Sequence, residues 1–344
     1  MRFQESSKRR FGVILTAGFG IAVFLLTTSG AAEKGKVRVE KIEYKGWKNN
    51  LRLTNGEAEL ILTLDVGPRV ISYKLTGGKN VFVELDDQMG KSGEKEWVAR
   101  GGHRLWVGPE DLTRTYAPDN RPIKYEELPG GAIRLIQNPD KYGIQKEMDV
   151  ELAPSGSKVV VTHRIKNVSE KDTDLAVWVL TMMAPGGVEI IPLPPKRNHP
   201  GPPENAKSAA EYWPNQVMVV WPFTDFKDPR WSFGTKYITL RHDADRGPTK
   251  IGLAHQLGWI GYLNRSTLFV KRIPFELGKM YADNGCNFET FSNQVMQEIE
   301  SLGPLVKLAA GKSVEHVERW ELMGGVDDIQ TENDIDSKVL PKIK

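Results

Sequence analysis

The sequence predicts an all-β protein, a large antiparallel β-sandwich, and three observations predict it. From Val37 onward short apolar runs alternate with polar residues, 28 of the chain's 33 glycines and all 21 prolines divide them at short spacing, and no long stretch carries a helical period. Such punctuation favours hairpins over alternating strand and helix units.

The elements follow in order. "LRLTNGEAELILTLDVG" (51–67) has an Asn-Gly pair between two alternating runs, and "RVISYKLTGGKNVFVEL" (69–85) has a Gly-Gly step; both read as hairpins. Further strands are expected at "AIRLIQ", "IQKEMDVELA", "KVVVTHRIKN", "LAVWVLTMM", "QVMVVW", "KYITLRH", "KIGLAHQ", "GWIGYLN", "TLFVKRI" and "VEHVERWELM". No fixed repeat is visible, which argues against a propeller or solenoid. Residues 192–235, opening with "PLPPKRNHPGPP", read as a long surface excursion that covers or lines something.

The chain of 344 residues, 40% apolar, can bury a sizeable core. Residues 1–32 carry Arg2, Lys8, Arg9 and Arg10, then an uncharged apolar run, then small residues. They are expected to be a signal peptide or, uncleaved, an N-terminal membrane anchor. Residues 33–325 are expected to form a single sandwich domain, and residues 326–344, without a periodic apolar face, a flexible tail. An exported, periplasmic or extracellular protein is the expectation, meeting the membrane only through that first segment. Residues 1–32 hold four of the 47 basic side chains and one of the 44 acidic ones, so the remainder is formally neutral and no nucleic-acid partner is expected. The lone Cys286 forms no intramolecular disulfide. A monomer or weak dimer is expected.

His103 stands behind two glycines in "ARGGHRLWVGPE" (99–110), where the Gly-Gly step lets the backbone approach a ligand; a turn histidine bonded to backbone is the alternative. His163 reads as an outward-facing or core-edge strand residue, His199 as solvated and His316 as surface. Glu298 and Glu300 straddle Ile299 and share one sheet face, as a carboxylate pair or an exposed strand face. There is no closely spaced His or Cys set, and "DADRG" (243–247) lacks the other ligands of a calcium loop, so no metal and no cofactor are expected. No nucleophile elbow or phosphate-cradling loop is present in the sequence.

Three segments, "GPRVISYKLTGGKNVFVEL" (67–85), "GGHRLWVGPE" (101–110) and "GCNFETFSNQVMQEIESLGPLVKLAAGKSVEHVERWEL" (285–322), together resemble the galactose mutarotase-like superfamily. As a whole the chain resembles more closely still a set of exported bacterial proteins within that superfamily known only as a domain of unknown function. The resemblance implies a mutarotase-like supersandwich with a sugar-sized groove across one concave sheet. It implies Glu289 as the base that takes the anomeric proton and His103 as the acid at the ring oxygen, both residue types being tunable toward neutral pH. Where such a protein carries a second histidine on a central strand, this chain has Met182, Met183 and Ala184. His255 is the candidate substitute, or a core histidine. Arg69 and Arg104 offer donor forks to hydroxyls or a sugar carboxylate, and Trp106, Trp178 and Trp259 offer flat apolar rings to a pyranose. Trp213 and Trp231, in the excursion, are candidates to close over the groove. The expected partner is a small-molecule sugar or glycan end. The two functions in view are aldose epimerisation and non-catalytic carbohydrate binding at the cell envelope.

Overall fold

The computed structural model of the chain describes residues 35–343, so the expected leader lies outside the described residues. Two large antiparallel sheets make up almost all of the regular structure. The eleven-stranded sheet runs from Arg38–Tyr44 through Trp47–Thr54, Ala58–Thr63, Arg69–Leu75, Gly102–Gly108, Thr173–Met183, Gln297–Leu302, Phe288–Ser292 and Thr249–Leu253 to Met218–Val220; Val306–Leu308 also pairs with Thr173–Met183. The ten-stranded sheet runs from Trp231–Phe233 through Tyr237–Arg241, Val188–Pro192, Trp259–Asn264, Thr267–Arg272, Ser313–Gly324, Val159–Asn167, Ile144–Leu152 and Ile133–Ile136 to Lys124–Glu127. This is the expected all-β sandwich.

Period-two alternation turns one face of each sheet toward the other. Leu51, Leu60, Leu105 and Val107 from the first sheet meet Met148, Val161 and Phe269 from the second in one buried cluster. Tyr73, Phe82, Phe269 and Trp320 pack at its centre with ring centroids 5.7 to 6.3 Å apart, the offset and edge-on geometry that aromatic quadrupoles favour.

Most expected strands are present, including the hairpin turning at Asn55 and Gly56. The arm expected after Gly77 and Gly78 does not continue as a strand: Asn80 caps Tyr73, and Phe82 crosses to bridge Met183. "GHRLWVG" is itself a strand, Gly102–Gly108, buried on both faces and therefore without the polar alternation that would announce it. The two glycines before His103, Gly101 and Gly102, serve close packing. A Cβ on Gly101 would lie 2.1 Å from the Val83 carbonyl oxygen, and one on Gly102 2.5 Å from that of Val70.

Residues 326–343 are not the expected frayed tail. Thr331 and Asp334 form a capping box, Glu332 accepts from the backbone N–H groups of Lys236 and Tyr237, and Ile329, Ile335, Val339 and Ile343 are buried against Val188, Leu263 and Val270 on the outer face of the ten-stranded sheet. The i, i+4 spacing of Ile335, Val339 and Ile343 makes a single apolar stripe too short to stand out as periodicity. None of the helices among the described residues is long and apolar enough to cross a membrane.

Candidate functional site

Strand register sets a row of polar side chains on the outer face of the eleven-stranded sheet. Arg69 pairs with Arg104, Arg104 with Leu180, Leu180 with Glu300, Glu300 with Glu289, and Glu289 with Gly252. Two residues along each strand, and so on the same face, a second row holds Met182, Glu298, Phe291 and Lys250, and a third holds Trp106, Trp178 and Leu302.

Lys250 is the hub. Its Nζ lies 2.7 Å from Glu289 Oε2 and 3.1 Å from Glu300 Oε2, while Trp178 Nε1 donates to Glu300 Oε2 at 2.8 Å. The ammonium also sits 5.0 Å from the Trp178 ring and 4.7 Å from that of Trp221, within cation–π range. Gly252 makes room for this, since a Cβ there would meet the Trp221 ring at 3.2 Å. On the other side, Arg104 stacks 4.9 Å from Trp97 and 5.2 Å from Trp106, and Tyr116 packs on both indoles. Half-buried Trp97, Tyr116, Trp221 and Phe291 rim the cluster, while Glu289 is fully covered.

Three carboxyls around one lysine cannot all ionise freely in a covered site. Burial pushes Glu289 well above the usual carboxylate range, with Lys250 opposing and Glu300 adding to the rise. Burial and the neighbouring Glu300 push Glu298 up to about 8. Burial works against the charge on Lys250, but Glu300 and Glu289 outweigh it and hold the ammonium above its ordinary range. Glu289 Oε1 has no hydrogen-bond partner among the described residues.

The structure does not bring His103 to Glu289. In an alternating strand Arg104 faces outward, so His103 faces the opposite sheet, where its Nε2 lies 2.7 Å from Nε2 of His163. A continuous polar network surrounds the pair. Lys271 donates to Thr181 Oγ1, to the Ile299 carbonyl and to Glu318 Oε1; Trp320 Nε1 donates to Glu318 Oε2; Ser301 links His316 to Glu318. The partners order the protons: the Thr181 hydroxyl donates to His103 Nδ1, His103 Nε2–H to His163 Nε2, and His163 Nδ1–H to the His316 carbonyl. His163 and His316 are therefore interior, not the edge and surface residues expected. Arg164 and Lys166 take the solvent side of one strand, and Trp320 and Leu322 fix the inward side of the other. Burial, together with the other charges of this network, holds His103 well below its ordinary value.

His255 is also away from the carboxyl row. Its Nε2 bonds the Trp259 carbonyl at 3.0 Å, its ring packs 5.7 Å from Phe288 on the inner face, and burial lowers it to about 4. Trp259 lies on the ten-stranded sheet, lining a separate groove with Pro192, Tyr237 and Leu340. Trp106, Trp178, Arg69 and Arg104 do share the outer face with Glu289, but Asp119 Oδ2 binds both guanidinium groups, at 3.2 and 3.1 Å. In the excursion Trp213 is 68% exposed and Trp231 is buried against Thr249, so neither closes the site; Trp221 does. Lys250 escaped sequence reasoning because only the cross-strand register reveals it, and Trp97, Tyr116 and Trp221 because they reach the site from segments outside the strands.

One inner carboxyl carries a stability prediction. Burial pushes Glu189 up to about 8 against hydrogen bonds from Thr290 and Gln297, and its Oε1 has no partner among the described residues. The folded value exceeds the unfolded one of about 4.3, so the folded state binds more protons in between, and stability falls as pH rises from about 4.3 to 8. Urea midpoints measured across that range are expected to drop, and Glu189→Gln is expected to flatten the slope.

No family model matches the chain, and no curated protein matches it. Solved structures do. A galactose mutarotase-like protein from Lactobacillus casei superposes with a TM-score of 0.52 at 11% identity, over 80% of this chain and 100% of that one. A Synechocystis protein superposes with a TM-score of 0.52 at 9% identity, over 86% and 98%. A TPR-domain containing protein from Parabacteroides distasonis gives 0.53 at 14% identity, over 82% of this chain and 49% of that one. The chain thus has the galactose mutarotase-like fold.

Proposed function

We propose that the aromatic-rimmed cluster on the outer face of the eleven-stranded sheet takes a sugar and interconverts its anomers, in an exported protein. The observation that carries this reading is the buried set of Glu289, Glu298 and Glu300 around Lys250, beneath tryptophan rings. Coupled carboxyls in such a site hold some protons and lack others near neutral pH, which supplies an acid and a base side by side. Glu289, paired with Lys250 Nζ at 2.7 Å, takes the proton of the anomeric hydroxyl in its ionised form. With His103 on the inner face, the acid role passes to the protonated Glu298, which gives its proton to the ring oxygen. The ring C–O bond breaks to the open-chain aldehyde, the C1–C2 bond rotates, and closure reverses both transfers. The apolar face of the pyranose stacks on the rim indoles.

The test is polarimetry of a freshly dissolved aldose anomer with and without protein. Acceleration supports the reading, and a rate equal to the buffer blank across several aldoses overturns it. An acid with a value of about 8 donates only below it. The catalysed rate is therefore expected to fall as pH rises through about 8, and Glu298→Gln is expected to abolish that limb.

Non-catalytic sugar binding remains the second reading, favoured by one observation: Glu289 and Trp178 are almost completely covered. It predicts saturable quenching of tryptophan fluorescence by a sugar with no change in mutarotation rate.

A further inference from the structure

The network between the sheets contains chemistry that the outer-face reaction does not use. We infer that His103, His163 and Glu318 form a binding site for a divalent transition-metal ion of the zinc type, which would bridge the two sheets. Ligand atoms of these three residues lie within 4.8 Å of one another, His103 coming from the eleven-stranded sheet and the other two from the ten-stranded sheet. The donor set, two imidazole nitrogens and one carboxylate oxygen, is one that zinc takes readily.

The surroundings fit as well as the donors. Each ring is held from behind at Nδ1, His103 by Thr181 at 2.9 Å and His163 by the His316 carbonyl at 3.0 Å, and the two Nε2 atoms face each other. Hydroxyl or carbonyl partners in that position are what orient metal-bound imidazoles. Glu318 is fixed through Oε1 by Lys271 and Ser301 and through Oε2 by Trp320 Nε1, and that Oε2, with a second lone pair, lies 4.0 Å from His103 Nε2. The Nε2 atoms stand 2.7 Å apart with one proton between them. Metal–nitrogen bonds of about 2.0–2.1 Å in tetrahedral geometry need them about 3.3 Å apart, a parting of roughly half an ångström.

On entry of the ion the His103 proton moves from Nε2 to Nδ1, and the Thr181 hydroxyl turns from donating to accepting.

The experiment is elemental analysis of the full chain, refolded with zinc chloride or in its absence and then desalted; refolding gives the ion access to a closed interior. About one zinc per chain, with a higher melting temperature than the zinc-free protein, is expected. His163→Ala and Glu318→Gln are each expected to lower retention by at least about tenfold. Wild-type protein that keeps less than about a tenth of an equivalent overturns the proposal, as do folded variants that keep zinc as the wild type does. Should the variants not fold, X-ray absorption on the wild type decides. Two imidazole nitrogens and oxygen at the ion support the site; a shell without two imidazoles overturns it. None of these readouts involves a sugar.

Discussion

Glu289→Gln is expected to slow catalysed mutarotation by about 10²–10⁴-fold, the contribution of a positioned general base, while sugar binding persists. Glutamine keeps the shape of the side chain and its place beside Lys250 but cannot take a proton. Its partner across the strands, Glu300, is already tied to Lys250 and to Trp178 Nε1, so it cannot assume the role without breaking both contacts. Polarimetry gives the rate, and tryptophan quenching gives the binding. Unchanged rates would remove Glu289 from the mechanism, whereas loss of both signals would assign it to binding.

Lys271→Met is expected to cost about 3–5 kcal/mol of folding stability, the loss on breaking a buried ion pair by removing one partner. The pair is completely buried, with Lys271 Nζ 2.6 Å from Glu318 Oε1. Removing the ammonium also strips a donor from Thr181 and from the Ile299 carbonyl. Urea denaturation at neutral pH measures the change. A loss below about 1 kcal/mol, the level of a surface pair, would show that the network tolerates the vacancy.

Much of the fold was legible because hairpin grammar is local. Asn55 and Gly56 sit between two alternating runs, and the strands carrying "KVVVTHRIKN" and "VEHVERWELM" follow period two closely. The direction of His163 was misread: it shares parity with Val161 and Ile165 while Arg164 and Lys166 take the other face, which turns it inward and not to the outward or core-edge position expected. The same parity puts His316 and Glu318 with Trp320. The candidate site was less legible. Glu289, Trp106 and Trp178 do lie together on one face, but His103 lies behind that face, and its parity was masked because Gly102–Gly108 is buried on both sides. Lys250 looks like an ordinary strand cation until register sets it between Glu289 and Glu300, residues 39 and 50 positions further along. Nothing local marks such meetings, or tells Trp221 from Trp213 as the indole that arrives.

The packed C-terminal segment bears on how the molecule tolerates a break in its chain. Ile329, Ile335, Val339 and Ile343 shield an apolar stretch of the ten-stranded sheet that includes Val188, Leu263 and Val270. A protease that clipped the chain near Val326 would leave both sheets hydrogen-bonded yet uncover that greasy stretch, and exposed apolar surface of this kind promotes self-association. Nicked molecules are therefore expected to aggregate before they unfold.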